Sequence, residues 1–260
     1  MSYALEDIRE AERLEKQSAD PAYDYQEELR PFLKSNYDSI LDAGCGSGVV
    51  SRFLASHFSN ASVTGIDGVE ARVQQARDLN QHGNLEFEIS DLRELQDSSR
   101  YDLIVCRYVL EHFSNPQALQ VISNFYRALK PGGQIILIDI DGYLLNTMPL
   151  SSDRIRKFLN LLSEYSDIDM RVGSKLPAFL KQMHFKEIQW ELQTLQFNTP
   201  ERKEREYKRI QERFEFTLPI MAQLLSSKTE ARAFQKEYLE SFLNPETVVF
   251  YNKFSVSASK

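Results

Sequence analysis

Apolar residues recur every third position at the start of the chain (Leu5, Ile8, Ala11 and Leu14) among charged neighbours, which predicts a helix over the first twenty residues. Asp20-Pro21 breaks it, and a second helical stretch is expected from about Tyr23 to Lys34. From Tyr37 the period changes. Short apolar runs at Ser39–Leu41, Ser62–Ile66, Leu85–Ile89, Asp102–Cys106 and Gln134–Ile140 read as strands. Between them, Val49–Phe58, Val69–Asn80 and Pro116–Lys130 read as helices, the last closed by Pro131-Gly132-Gly133. Strand and helix in alternation build an α/β fold: a doubly wound, mostly parallel sheet with helices on both faces.

After Asp141 the rhythm loosens. Ile155, Phe158, Leu159, Leu162 and Tyr165 form a helical stripe, and Leu176–Met183 leads into a strand at Lys186–Leu192. From about Pro200 to Pro245 the pattern is helical again, with a seam of Tyr207, Ile210, Phe214, Leu218, Met221 and Leu225 that Pro219 should kink or break. Ala231, Phe234, Tyr238 and Phe242 make a further stripe, and Thr247–Val256 reads as a last strand. The division that follows is an N-terminal helical lid at 1–36, a core at 37–195 and 246–260, and a helical insertion at 196–245 serving as a substrate lid.

Three acids, Asp42, Asp67 and Asp91, stand at the ends of successive strands, 25 and 24 positions apart, about one strand–helix unit each. Ligands of open α/β sheets bind beyond the carboxyl ends of strands, so the three should line one crevice. Asp42 is followed by Ala43-Gly44-Cys45-Gly46-Ser47-Gly48, a turn that lets a ligand touch backbone at the start of a helix. A carboxylate or a phosphate fits such a turn equally well. The spacing G-x-G-x-G differs from the dinucleotide fingerprint G-x-G-x-x-G, and no P-loop pattern occurs. Asp67 can accept from both hydroxyls of a ribose, Asp91 can reach an adenine amino group, and Asp42 can face an ammonium. Together they describe a ligand with a ribose, an adenine and an amino-acid tail.

These motifs, with the strand Tyr101–Cys106 and Leu129-Lys130-Pro131-Gly132-Gly133, resemble the ordered motifs of class I S-adenosylmethionine-dependent methyltransferases over about residues 37–141. Arg107-Tyr108-Val109-Leu110-Glu111-His112-Phe113 is similar to the branch acting on small molecules, including the ubiquinone and menaquinone biosynthesis methyltransferases. The resemblance implies a seven-stranded Rossmann-like sheet ending in an antiparallel hairpin, to which the strands near 186–192 and 247–256 fit. It implies S-adenosylmethionine as cofactor, with Gly44, Cys45 and Gly46 against its methionine part and Asp67 on its ribose. Gly68 and Val69 would border the adenosine, Asp91 with Leu92 would hold the adenine, and Arg107 would offer its backbone carbonyl to the amino group. In such enzymes N-terminal helices close over the cofactor, which makes Tyr25, Arg13 and Gln17 candidates for its carboxylate or adenine. The long helical insertion departs from the minimal pattern and leaves the acceptor open.

Composition narrows the partners. The 260 residues are 42% hydrophobic and 27% charged, which is globular, and the formal charge of −7 supplies no global field for nucleic acid. The mixed-sign run Glu201–Arg213 reads as a solvated helix face. No apolar run spans a bilayer, and the charged N-terminal stretch has no export signal, so a cytoplasmic protein with no membrane partner is expected, as monomer or homodimer. Cys45 and Cys106 read as small buried fillers, and His57, His82 and His184 form no metal spacing, so no metal is expected. His112, beside Glu111, is the candidate general base, with Tyr108, Tyr143 and Asp141 behind it; local packing or capping accounts for His112 as readily. The aromatics of the insertion offer an apolar roof for a small aromatic or hydrophobic acceptor, although helix packing explains the same stripe. Two alternatives stand beside the small-molecule methyltransferase: a non-catalytic S-adenosylmethionine-binding partner or regulatory protein, and a methyltransferase acting on a protein.

Overall fold

The computed structural model describes residues 23–149, 152–165 and 167–260. The expected first helix, with Arg13 and Gln17, lies outside the described residues. Helix α1 (Tyr25–Leu29) is capped by Asp24, whose Oδ1 accepts from the Gln26 amide at 2.8 Å. It ends well short of the expected Lys34: Arg30 still has helical dihedrals (φ −49°, ψ −40°), but Pro31 after it has no amide N–H to carry the ladder on.

The alternation then runs as read: β1 (Ser39–Ala43), α2 (Val49–His57), β2 (Ser62–Asp67), α3 (Glu70–Leu79), β3 (Leu85–Ile89), β4 (Tyr101–Arg107), α4 (Asn115–Ala128) and β5 (Leu129–Asp141). Helix α4 starts at a capping box made by Ser114 and Gln117, with Pro116 in its first turn. There follow β6 (Thr147–Met148), α5 (Asp153–Tyr165), α6 (Val172–Gln182), β7 (Lys186–Gln196), α7 (Pro200–Leu224), α8 (Lys228–Leu243) and β8 (Val248–Ser259). The sheet order is β3-β2-β1-β4-β5-β8, with β7 on the far side of β8. Strands β3 to β5 are parallel, whereas β8 runs antiparallel to both β5 and β7. Seven strands are those expected; β6 is a two-residue addition paired to the start of β8, too short to leave a hydrophobic period.

Alternate residues of each strand feed opposite layers. Leu41, Ile104, Ile135 and Leu137 pack with Val121, Phe125, Leu176 and Leu180 of α4 and α6. Their sequence neighbours Ile40, Val105, Ile136 and Ile138 pack on the other face with Leu54 and Val73 of α2 and α3. Because β1 has β2 on one side and β4 on the other, the chain reverses direction across the sheet there, which opens a crevice at the carboxyl ends of these strands.

A third apolar cluster lies over that crevice. Ile155 and Phe158 of α5, Ile210, Phe214, Leu218 and Met221 of α7, and Phe234, Tyr238 and Phe242 of α8 are all buried in it. Helix α5 thus packs with α7 and α8 in this cluster. Pro219 does not break α7: Leu218 and Met221 on either side of it are buried, and this anchorage holds the helix across the hydrogen bond that proline cannot donate.

Candidate functional site

A cavity of about 1460 Å³ opens at the carboxyl ends of β1, β2 and β4 and extends under α5 and α7. Asp42, Gly44, Cys45, Gly46, Asp67, Gly68, Val69, Asp91, Leu92, Arg107, Tyr25 and His112 all line it. The cofactor candidates that fall within the described residues, and His112, thus share the walls of a single space.

The glycine turn is held by its neighbours in the sheet. The amides of Gly44 and Cys45 both donate to the Ile66 carbonyl, at 2.8 and 2.9 Å, which ties the end of β1 to the end of β2. Gly44 has φ +78°, and a Cβ there would stand 2.4 Å from Val109 Cγ2, so no larger residue fits. Gly68 is different: the nearest atom to an added Cβ is 3.9 Å away. Asp67, buried at the end of β2, accepts from the Gly46 amide at 3.0 Å through Oδ2 and from the Val69 amide at 2.9 Å through Oδ1. Each oxygen keeps a lone pair for a diol of the ligand.

Asp42 is buried beneath the turn and accepts from Ser51 Oγ at 2.5 Å. Burial pushes its carboxyl up to about 6; the Ser51 hydrogen bond and the Arg107 charge oppose that rise. Asp91 caps the turn after β3 and is gripped by Arg93, with Nη2 to Oδ2 at 2.5 Å. That hydrogen bond holds its carboxyl below the usual carboxylate range, so an adenine amino group would share an acceptor already engaged. Cys45 and Cys106 are buried, and burial pushes both thiols up, which is the behaviour of fillers rather than nucleophiles.

Arg107 enters the site with its side chain, a role the motif did not suggest. Its Nε donates to Glu28 Oε2 at 2.5 Å and its Nη2 to the Tyr23 carbonyl at 2.7 Å. Burial opposes its charge, but Tyr108 and Glu28 beside it outweigh burial and raise its pKa. Glu28 also accepts from Lys253 Nζ at 2.7 Å and from the Tyr108 hydroxyl at 3.0 Å. One carboxylate therefore ties α1 to the end of β4 and the middle of β8, and Tyr25 of α1 lines the cavity.

The upper wall differs in character. Ile140, Tyr143, Leu144, Phe158, Phe214 and Met221 make it apolar. Glu206, Arg209 and Arg213, three and four positions apart on α7, also face inward, which corrects the reading of Glu201–Arg213 as a solvated face. Glu206 is 1% exposed, and the side chains of Arg209 and Arg213 are 15% and 19% exposed. The reason is phase: these positions share the stripe of Ile210, Phe214 and Met221, which the core draws inward, and only the rest of the run meets solvent. Arg209 Nη1 donates to Glu206 at 2.7 Å and lies over the Tyr23 ring; Arg213 lies 4.9 Å over the Tyr143 ring.

His112 ends a short 3-10 turn, Leu110–His112, after β4, with Nε2 3.6 Å from Glu111 Oε1. Below it, Asp139 accepts from the Glu111 amide at 3.2 Å, and burial together with the Glu111 charge pushes its carboxyl well up. Tyr108 and Tyr143 line the cavity too, whereas Asp141 is turned to Arg171 at 3.5 Å. Among the described residues, no group of three His, Cys, Asp or Glu is placed to hold a metal ion, and no helix is long and apolar enough to cross a membrane.

Comparison with known proteins concerns the part of the chain that holds the glycine turn and the three acids. Residues 40–133 match the family described as a methyltransferase domain. The ubiquinone biosynthesis O-methyltransferase of Coxiella burnetii is 36% identical over 105 residues, covering 39% of this chain and 43% of that protein. Its counterpart in Pseudomonas savastanoi is 31% identical over 137 residues, 46% of this chain and 57% of that protein. The chain thus spans about half the length of the curated relatives it matches. Among solved structures, phosphoethanolamine N-methyltransferase 2 of Haemonchus contortus, bound to phosphomonomethylethanolamine and S-adenosylhomocysteine, superposes with a TM-score of 0.61 at 18% identity. That match covers 96% of this chain and 56% of the other, and it speaks for the fold.

Proposed function

Residues 40–133 form a class I S-adenosylmethionine-dependent methyltransferase domain, and from that premise we propose that the chain transfers a methyl group to a small, aromatic or otherwise hydrophobic organic molecule. The observation that carries this reading is the cavity itself. At about 1460 Å³ it exceeds the roughly 300–1,000 Å³ of an ordinary ligand site, and its walls divide by chemistry. Polar groups matched to S-adenosylmethionine stand below, and a largely apolar wall that also carries Glu206, Arg209 and Arg213 stands above.

The residues present fit the cofactor. Asp67 has acceptor capacity for the ribose, Asp42 is the carboxylate for the ammonium, and the glycine turn leaves room for the methionine backbone. When bound, the cofactor supplies a methyl group on a sulfonium, a good leaving group that needs alignment more than activation. The chain's contribution is then to hold the acceptor in line and keep the site dry, effects worth ~7–11 kcal/mol of barrier. For a hydroxyl acceptor, His112 on the cavity wall is the candidate to take the proton, its Nε2 3.6 Å from Glu111 Oε1. The covering of the chamber by α7 favours a small acceptor over a protein segment. The similarity to ubiquinone biosynthesis O-methyltransferases also supports a small hydroxyl-bearing acceptor.

Calorimetric titration with S-adenosylhomocysteine tests the reading, paired with Asp67→Ala. Loss of two charge-assisted hydrogen bonds, each ~1.5–3 kcal/mol, should weaken binding at least 100-fold. Unchanged affinity would remove Asp67 from the site. Tight binding with no turnover on any small phenol, catechol or amine would favour the non-catalytic alternative.

A further inference from the structure

We infer that the outer edge of β7 pairs with β7 of a second copy of this chain, antiparallel and with Trp190 on the two-fold axis. Strand β7 is paired to β8 on one side, and among the described residues no strand lies on its other side. A row of backbone amides and carbonyls is therefore open to a further strand. Both faces are open as well, since every residue from Gln189 to Thr194 is exposed. The opposite end of the sheet is guarded differently: β3 has five residues and leaves Glu86 and Glu88 exposed. From Gln189 to Gln196, β7 pairs with β8 without a break and carries neither proline nor lysine, the usual guards of an edge.

The side chains of this edge are complementary to themselves. Trp190 and Leu192 share one face with their β8 partners Val256 and Phe254, and they are 54% and 49% exposed. Ile188 packs beside them, and Gln189 and Glu191 point to the opposite face. A two-fold axis normal to the sheet at Trp190 sets Ile188 opposite Leu192 of the second copy, and Gln189 opposite Glu191 of the second copy. Apolar then meets apolar, and each carboxylate meets an amide that can donate to it. Moving the axis to Gln189 would set Glu187 against Glu191, and moving it to Glu191 would set that residue against itself. Like charges directly opposite are unfavourable, so the polar face selects the register that the apolar face also favours. The ladder ends at the bulge between Lys186 and Gln189, where Glu187 has φ +51°.

Sedimentation velocity on the full chain tests this, over about 1 to 100 μM because an interface of one strand is small. The chain should pass from monomer to dimer in that range. Trp190 is its single tryptophan, so fluescence emission should move to shorter wavelength with the same midpoint. Trp190→Glu sets two carboxylates on the axis and should raise the midpoint at least ten-fold, with an unchanged melting curve for the dilute protein. A mixture of Gln189→Cys and Glu191→Cys should oxidise to a disulfide dimer that neither variant forms alone; the native Cys45 and Cys106 are buried. A chain still monomeric at the top of the range, a dimer that Trp190→Glu leaves intact, or Trp190 emission indifferent to dimer formation would each overturn the inference. Crosslinking within either cysteine variant alone would overturn the register.

Discussion

Replacing Glu28 by Gln should cost this protein more stability than almost any other single isosteric change. Glu28 is 5% exposed and accepts from Arg107, Lys253 and the Tyr108 hydroxyl. Lys253 is itself 3% exposed. Glutamine keeps the shape of the side chain and removes its charge, which leaves two buried cations facing an amide that offers only one acceptor oxygen. Removing one partner from a buried ion pair typically costs ~3–5 kcal/mol, because the remaining charge is stranded away from water. For a domain of this size each kcal/mol moves the melting temperature by ~2–4 °C, so the expected drop is ~6–20 °C. Thermal unfolding followed by circular dichroism, repeated by urea titration, reads it directly. Glu28→Gln/Lys253→Gln should recover part of the loss by removing one of the stranded charges, a coupling that a simple packing defect would not produce. A Glu28→Gln protein within about 1 kcal/mol of wild type would refute the reasoning, since the network would then be solvated or dispensable.

Three further outcomes follow from the site. Asp42 is raised to about 6 from an ordinary carboxylate value, so between about pH 4 and 6 the folded protein holds a proton that the unfolded chain has released. Only the ionised form can pair with an ammonium, so calorimetric affinity for S-adenosylhomocysteine should be flat above pH 7 and fall toward ten-fold per unit below about 6. Asp42→Asn should weaken binding and abolish that slope; a slope that persists would remove Asp42 from the linkage. Gly44→Ala forces a Cβ to within 2.4 Å of Val109 at φ +78° and should cost at least ~2 kcal/mol, measured by denaturant titration, while Gly68→Ala should leave stability within about 0.5 kcal/mol. If His112 is the base, His112→Ala should lower kcat by ~100- to 10,000-fold with KM little changed. A rate unaltered from pH 6 to 9 would retire it.

The lower wall of the site was legible because its determinants are local. Asp42 and Asp67 stand in the last two positions of β1 and β2, Asp91 lies two residues past β3, and the turn Gly44–Gly48 joins a strand to the next helix, so contiguous residues encode both geometry and chemistry. The helices of the covering layer were likewise readable from stripes such as Ile210, Phe214, Leu218 and Met221. Their partners were not. Which of the many charges on α7 turn inward depends on where α5 and α8 pack, and a run of mixed charge looks the same whether it meets water or a chamber.

The sequence by itself determined the strand–helix order, the glycine turn and the acids beyond the strand ends, since periodicity and short-range turns act over a few neighbouring residues. The tertiary structure alone decided that Glu28 meets Arg107 across 79 positions and Lys253 across 225, and that Arg213 lines the cavity. It also decided that Pro219 sits in an unbroken helix. The physical reason is common to all three. Burial energy depends on the whole packed layer, and it overrides local preference wherever enough apolar surface is removed from water.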